Sequence, residues 1–285
     1  MTVRAPEVSA HRAAGQAKVT VTELRDMADM HAIAELFVGR WNTPAPHSPL
    51  SPNLLRAFAW TGNYVAGAFS GGRLAGASAG FLRQADPHPC LFSHTTSVLP
   101  GTEGRGVGYA LKQHQRAWAL ARGITTIEWT FDPLVRRNAY FNLVKLGAVG
   151  AEYLVNFYGA MHDSANGDQE SDRVLIRWRL RSRRAVDAAS GLRTLPDLAR
   201  LRAAGVPVLL SVGPGARPVR GDDDGGDLAL CQVPEDIVRL RAHDEPAAVA
   251  WLQAIRGALT RAFASGLVAQ AMTPSGWYVL ARPQP

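Results

Sequence analysis

The stretch Leu91-Phe92-Ser93-His94-Thr95-Thr96-Ser97-Val98-Leu99-Pro100-Gly101-Thr102-Glu103-Gly104-Arg105-Gly106-Val107-Gly108 decides how this chain is read. Residues 91 to 99 read as a strand that runs straight into a loop with glycine at 104, 106 and 108. A helix follows from Val107 to about Arg122, carrying Val107, Leu111, His114, Trp118 and Ala121 on one face, and Gly123 stops it. A strand that empties into Gly-x-Gly-x-Gly and then a helix gathers several backbone N–H groups around one concave spot. The helix N-terminus adds unsatisfied donors and the positive end of its dipole. Glycine is needed there because a side chain would keep a phosphate away from the backbone. The ligand implied is phosphorylated, a pyrophosphate above all.

Two familiar phosphate motifs do not fit. A P-loop needs Gly-x4-Gly-Lys-Ser/Thr, and no such lysine follows a glycine in this chain. A dinucleotide fingerprint needs Gly-x-Gly-x-x-Gly, but the third position is Tyr109 counted from Gly104 and Leu111 counted from Gly106. Glu128, twenty residues after Gly108, has the spacing of a ribose-binding acid and keeps a nucleotide reading open.

Working outward, Val19 to Leu24 alternates as a strand, and a helix from about Asp26 spaces Met30, Ile33, Ala34, Phe37, Val38 and Trp41 on one side. Asn42 to Pro52 is a proline-rich loop, and Asn53 to Trp60 a second helix. Tyr64–Phe69 and Arg73–Phe81 read as strands joined by a Ser70-Gly71-Gly72 hairpin turn. Beyond the glycine loop come a strand from Ile124 to Phe131, a helix from Arg137 to Leu146 stopped by Gly147, and strands near Tyr153–Tyr158 and Val174–Leu180. After Arg184 the pattern changes: strands over Val206–Val212 and Asp227–Val233 flank an Asp-rich loop. A helix over Pro246–Ser265 presents Val249, Leu252, Ile255, Leu259 and Phe263, and two strands over 267–272 and 276–281 follow it. Asp222-Asp223-Asp224 lacks calcium-loop spacing and reads as a solvated loop.

With 285 residues the chain suits two moderate domains and needs no disulfide or structural metal to fold. Cys90 and Cys231 lie far apart, without zinc-ligand spacing, so no metal is expected. No apolar run approaches the ~18 residues of a membrane span. Met1 to Ala17 lacks an apolar core and reads as a loose tail rather than a signal peptide, so a cytoplasmic protein is expected. Of 31 basic residues only Lys18, Lys112 and Lys145 are lysine. The arginines are spread along the chain instead of concentrated on one segment, which argues against a nucleic-acid partner.

Val98-Leu99-Pro100, the Gly104-Arg105-Gly106-Val107-Gly108 loop and the long helix after it resemble motif A of the GNAT acyltransferase superfamily. The order of elements agrees from about Lys18 to Leu180, and Arg137 to Gly147 resembles the helix after that family's fifth strand. Glu128-Trp129-Thr130-Phe131-Asp132-Pro133-Leu134, with Ser171-Asp172-Arg173 and Trp178, is similar to a less characterised branch with a C-terminal extension. The resemblance implies an α/β (α+β) fold: a mixed, mostly antiparallel sheet flanked by helices, with a smaller C-terminal α/β extension. The expected organisation is a tail over 1–17, a GNAT-like domain over 18–184 and an extension over 185–285 that shapes the acceptor site or a homodimer face. The donor implied is an acyl-coenzyme A. Its thioester and pantetheine would pair near Ser97, Val98 and Leu99. The pyrophosphate would rest on the N–H groups of Glu103, Gly104, Arg105, Gly106, Val107, Gly108 and Tyr109, and Asn138 is carried over as a coenzyme-side residue. Glu103 departs from the family's Gln or Arg, and Arg105 offsets its charge.

Acyl transfer to an amine needs a neutral nucleophile, a donor for the oxyanion and an outlet for the thiolate. The backbone N–H near Val98 suits the oxyanion. His94, Glu128 and Asp132 are the candidate bases: His94 for its pKa, the acids for sharing one strand face. The family's acid is a tyrosine where this chain has Leu143, and Tyr140 lies on roughly the same helix face; Tyr153 and Tyr158 read better as strand aromatics. The expected activity is transfer of an acetyl or larger acyl group, such as succinyl, to a small-molecule amine or amino acid. The rivals are a non-catalytic acyl-CoA sensor or scaffold and a nucleotide-binding enzyme.

Overall fold

The computed structural model describes residues 6–41, 50–85, 88–159, 161, 169–193, 195–222 and 225–283. The expected proline-rich loop therefore lies mostly outside the described residues, as do Asp223 and Asp224. Packing divides the chain into two compact units, one of residues 1–129 with 179–181 and one of residues 130–178 with 182–285. Among the described residues no helix is long and apolar enough to cross a membrane.

The first unit opens with helix α1 (Pro6–Ala17) where a loose tail was expected. Ala10 and Ala13 are buried, and these small, strongly helix-forming side chains let α1 lie close on α4 (Val107–Ala121). Strand β1 (Thr20–Glu23), helix α2 (Met27–Trp41) and helix α3 (Pro52–Trp60) follow. Met30, Ile33 and Phe37 are fully buried at the expected helical spacing. Helix α3 starts at Pro52 because the Ser51 hydroxyl accepts the Leu54 N–H at 3.2 Å. Strands β2 (Tyr64–Ser70) and β3 (Arg73–Arg83) form the expected hairpin, with Gly71 and Gly72 both at positive φ as a two-residue turn demands. The sheet runs β1-β2-β3-β4-β5, where β4 is Cys90–Val98 and β5 is Thr126–Phe131. The first three neighbouring pairs are antiparallel, and β4 with β5 is parallel. One face carries α2 and α3 on Val65, Ala77 and Ala79; the other carries Ala68, Ala75 and Val98 against Val107 and Leu111 of α4.

The second unit takes the rest of β5 and then α5 (Arg136–Tyr140), which continues into a single π-helical stretch over Phe141–Lys145. A regular helix was expected to Leu146; instead Leu146 N–H reaches back to Phe141 C=O, and Ala148 N–H to Asn142 C=O. Strand β6 is Val149–Leu154 and β7 is Arg173–Arg179. The expected strand at 153–158 thus ends early, because Asn156 turns the chain at φ 48° and its N–H is held by Asp172 at 2.9 Å. After α6 (Arg183–Ala189) and α7 (Leu198–Ala203) come β8 (Val208–Val212), β9 (Pro218–Arg220), β10 (Leu228–Gln232), α8 (Ile237–His243), α9 (Glu245–Ala264), β11 (Val268–Met272) and β12 (Trp277–Ala281). The order in this sheet is β7-β6-β11-β12-β10-β8-β9. Its core stripe on α9 is Trp251, Leu252, Ile255 and Leu259 with several alanines, and Val249 turns outward.

Gly147 is packed hard against backbone of this unit. Its φ is +69°, and a β-carbon there would lie 2.4 Å from the Arg184 carbonyl oxygen. Backbone cannot retreat as a side chain can, so Gly147→Ala is expected to cost about 3 kcal/mol or more. Thermal unfolding followed by circular dichroism reads this as a melting point lower by several degrees or more; an unchanged melting point would contradict the packing.

Candidate active site

Strand β4 leads the chain to the glycine loop, and its hydrogen bonding shows which edge stays open. Leu99 N–H bonds to Ala75 C=O of β3 at 2.9 Å. Alternation along an antiparallel strand then turns the N–H groups of Val98 and Thr96 to the opposite edge. On that side, among the described residues, β5 pairs with β4 at Leu91↔Ile127 and Phe92↔Glu128 and no further along. The two strands stop pairing just before Ser93 and Trp129. An irregularity in the β3–β4 ladder lies at the same level, where a β-carbon on Gly80 would meet the Phe92 carbonyl at 2.7 Å.

The loop itself is shaped by three left-handed glycines: Gly101 and Gly104 at φ 79° and Gly106 at φ 89°. Thr102 stabilises its first turn, the hydroxyl donating to Leu99 C=O at 2.7 Å and the N–H at 3.1 Å. Gly106 is the N-cap of α4 and, being glycine, brings no side chain of its own to cap that end. The first turn of a fifteen-residue helix therefore presents its N–H groups to whatever lies in the loop. Glu103 folds back, its carboxylate accepting the Gly101 N–H at 2.7 Å. It takes one donor of the loop for itself and leaves a negative charge beside the rest. Glu103→Gln is expected to tighten binding of an anionic ligand about two- to fivefold at low salt, and less as salt rises. Calorimetric titration with coenzyme A checks it; equal affinities would show that the charge does not reach the ligand.

His94 and Glu128 also lie in the first unit. His94 is partly buried beside the rings of Phe81 and Phe92, with centroids 6.0 and 6.5 Å away. Burial lowers its pKa below the usual 6.5, so the imidazole is neutral at pH 7. Glu128 is buried and ion-paired with Arg83 at 2.5 Å, with the Cys90 thiol 3.7 Å away. Ser97 is buried, and its hydroxyl has no hydrogen-bond partner among the described residues.

The second unit holds the other candidates. Asp132 is 9 % exposed, is ion-paired with Arg241 at 2.7 Å, and accepts the Leu134 N–H at 2.9 Å. Both of its oxygens are therefore engaged within that unit. Asn138 is exposed on α5, Tyr140 is half-buried at its end, and Leu143 is buried in the π-helical stretch. Tyr153 donates to Asp172 at 2.7 Å, and the Tyr158 hydroxyl lies 3.2 Å from that of Thr130.

One group went unnoticed in the sequence. Lys112 of α4 is 4 % exposed, and its ammonium donates to Ser93 Oγ at 2.7 Å and Gln115 Oε1 at 3.1 Å. It also lies 4.0 Å from the centroid of the Trp129 ring. The signal available was compositional: a lysine kept in a chain that otherwise uses arginine. Among the described residues, no group of three or more His, Cys, Asp or Glu side chains is placed to hold a metal ion.

Residues 30–143 match the model of the Acetyltransferase (GNAT) family. Among solved structures, the chain is similar to YncA of Salmonella typhimurium with its cofactor acetyl-CoA. Identity is 16 %, the match covers 63 % of this chain and 98 % of that one, and the TM-score is 0.46. It is likewise similar to an aminoglycoside 6'-acetyltransferase type Ii, at 18 % identity over 57 % and 99 % of the two chains with a TM-score of 0.45. A third is Naa50 of Arabidopsis thaliana in complex with the bisubstrate analogue CoA-Ac-MVNAL, at 17 % identity over 56 % and 97 % with a TM-score of 0.42. No curated protein matches the sequence.

Proposed function

We propose that this chain, whose residues 30–143 form an acetyltransferase (GNAT) domain, transfers an acyl group from an acyl-coenzyme A to the amine of a small molecule or amino acid. The observation that carries the reading is the uninterrupted run of β4 into an uncapped, glycine-shaped helix start, beside a strand edge that β5 leaves open. In this reading the pyrophosphate lies on the loop from Glu103 to Tyr109, and the pantetheine pairs with the open edge at Ser97, Val98 and Leu99. The acyl group is acetyl or a larger one such as succinyl.

The residues of the first unit suffice for the central step. The neutral amine attacks the thioester carbonyl, forming a C–N bond while the Val98 N–H receives the developing oxyanion. Breaking the C–S bond releases coenzyme A as a thiolate, a stable leaving group. The proton leaving the amine passes to His94, which is uncharged at neutral pH. His94 is favoured over Glu128 and Asp132 because each acid is already held by an arginine.

A second reading, a module that binds acyl-CoA without turnover, is favoured by the buried Leu143 at the position of the family's tyrosine. The nucleotide reading loses its footing, since Glu128 is buried against Arg83 instead of free to meet a ribose. A thiol-release assay with acetyl-, succinyl- and other acyl-CoAs against a panel of amines separates the alternatives. Amine-dependent release supports transfer, binding without release supports the sensor, and absence of any coenzyme A binding sinks both.

A further inference from the structure

Lys112 is held in a way that stability alone does not explain. Its ammonium is buried, and among the described residues no carboxylate pairs with it. Taking a cation out of water without an anion is destabilising, and a methionine would fill much the same volume without that cost. Burial drags the amine down to about 7 from its ordinary 10.5.

The neighbours of the ammonium indicate what it does. Phe92 and Glu128 are the last residues at which β4 and β5 pair, and Ser93 and Trp129 come next on each strand. Lys112 meets both of these, bonding the Ser93 hydroxyl and lying on the Trp129 ring. It therefore sits in the fork where the strands part. From there a chain of polar contacts follows β4 towards the loop: Gln115 Nε2 donates to Ser78 Oγ at 3.4 Å, and that hydroxyl lies 2.8 Å from Thr96 Oγ1. Thr96 is one of the residues whose N–H faces the open edge. Several other charged or titratable side chains on these elements are held elsewhere or uncharged. Arg116 on α4 is bound to the Leu180 carbonyl, Glu128 on β5 to Arg83, and His94 on β4 is uncharged at neutral pH. His114 on α4 bonds the Tyr64 hydroxyl, and burial raises the pKa of the Cys90 thiol on β4.

We propose that Lys112 is a positioning residue for acyl transfer: bolted between Ser93 and Trp129 at the fork of β4 and β5, it fixes the open edge of β4 on which the acyl end of the donor is laid. The inference rests on the acyl-CoA reading above. It assigns Lys112 to the acyl end of the donor and not to its nucleotide end, which meets the glycine loop.

The test compares the full-length wild type with Lys112→Met in three measurements: melting temperature against pH, calorimetric affinity for coenzyme A, and thiol release from acetyl-CoA with the best amine of the panel. The expected variant melts at or above the wild-type temperature at pH 7. Lys112 gives the wild type a contribution to stability that rises with pH between about 7 and 10.5, because there the unfolded lysine still binds the proton that the folded one has released; the buried cysteines, whose raised pKa values act in the opposite sense, are common to both proteins, so the rise is read in the difference between wild type and variant. Its coenzyme A affinity stays within about threefold, while kcat falls at least about tenfold. A variant that melts lower makes the lysine a structural element and overturns the proposal. So does a variant with wild-type kcat, or one that loses coenzyme A affinity in step with kcat. If the wild type itself neither binds coenzyme A nor releases thiol, the acyl-CoA reading has failed, and the pH dependence of stability still reports the buried amine.

Discussion

Gly106→Asp is expected to weaken coenzyme A binding by on the order of 100-fold or more while the chain stays folded. The position is at φ 89°, where side chains are strained, but aspartate and asparagine tolerate the left-handed region better than other residues. Space is also present, since the nearest heavy atom to a β-carbon there would be Ala17 Cβ at an ordinary 3.5 Å. The penalty on folding is therefore about 1–2 kcal/mol, not collapse. What the aspartate adds is a carboxylate at the N-cap of α4, where it would take up the helix's own N–H donors as an N-cap acid does and repel a pyrophosphate. Gly106→Asn separates the two effects. It carries the same conformational strain without the charge and should lose markedly less affinity. Equal, small losses for both variants would place the anion elsewhere.

His94→Gln is expected to lower kcat/KM by about 100-fold or more, within the range for loss of a general base. The pH profile carries the sharper information. A base must be unprotonated to act, so wild-type activity rises with pH through the His94 pKa and levels off above it. Burial beside Phe81 and Phe92 lowers that pKa from 6.5, so the acid limb should bend below 6.5 and the plateau be reached by neutrality. Glutamine retains a polar side chain of similar reach but cannot titrate, and the acid limb should flatten with it. An unchanged limb in the variant would assign the proton to another group or to water.

Much of this was legible before any coordinates. The loop and helix of the strand-loop-helix unit were visible because each uses a separate signal: glycines where φ must be positive, and helical spacing in α4. The hairpin at Gly71-Gly72 and the long helix α9 were legible for the same reason. Other features left weaker traces. Helix α1 is written mainly in alanine, whose helical preference is strong but whose hydrophobic pattern is faint. The short helices α6, α7 and α8 are announced by their caps, Ser182, Asp197 and Asp236, each accepting an N–H three residues on, and not by periodicity. Nothing local could have shown the partners of buried charges. That Glu128 is held by Arg83 across 45 positions, or Asp132 by Arg241 across 109, depends on the fold. The same holds for Lys112, whose importance appears once Ser93 and Trp129 are seen to flank it.

The most direct test of the central claim, that the loop opening α4 seats a coenzyme A donor, is amide hydrogen exchange with and without saturating coenzyme A. Slowed exchange is predicted over residues 96–109, covering the open edge of β4, the glycine loop and the first turn of α4. Saturation with coenzyme A that leaves these amides exchanging at their free rate would contradict the account.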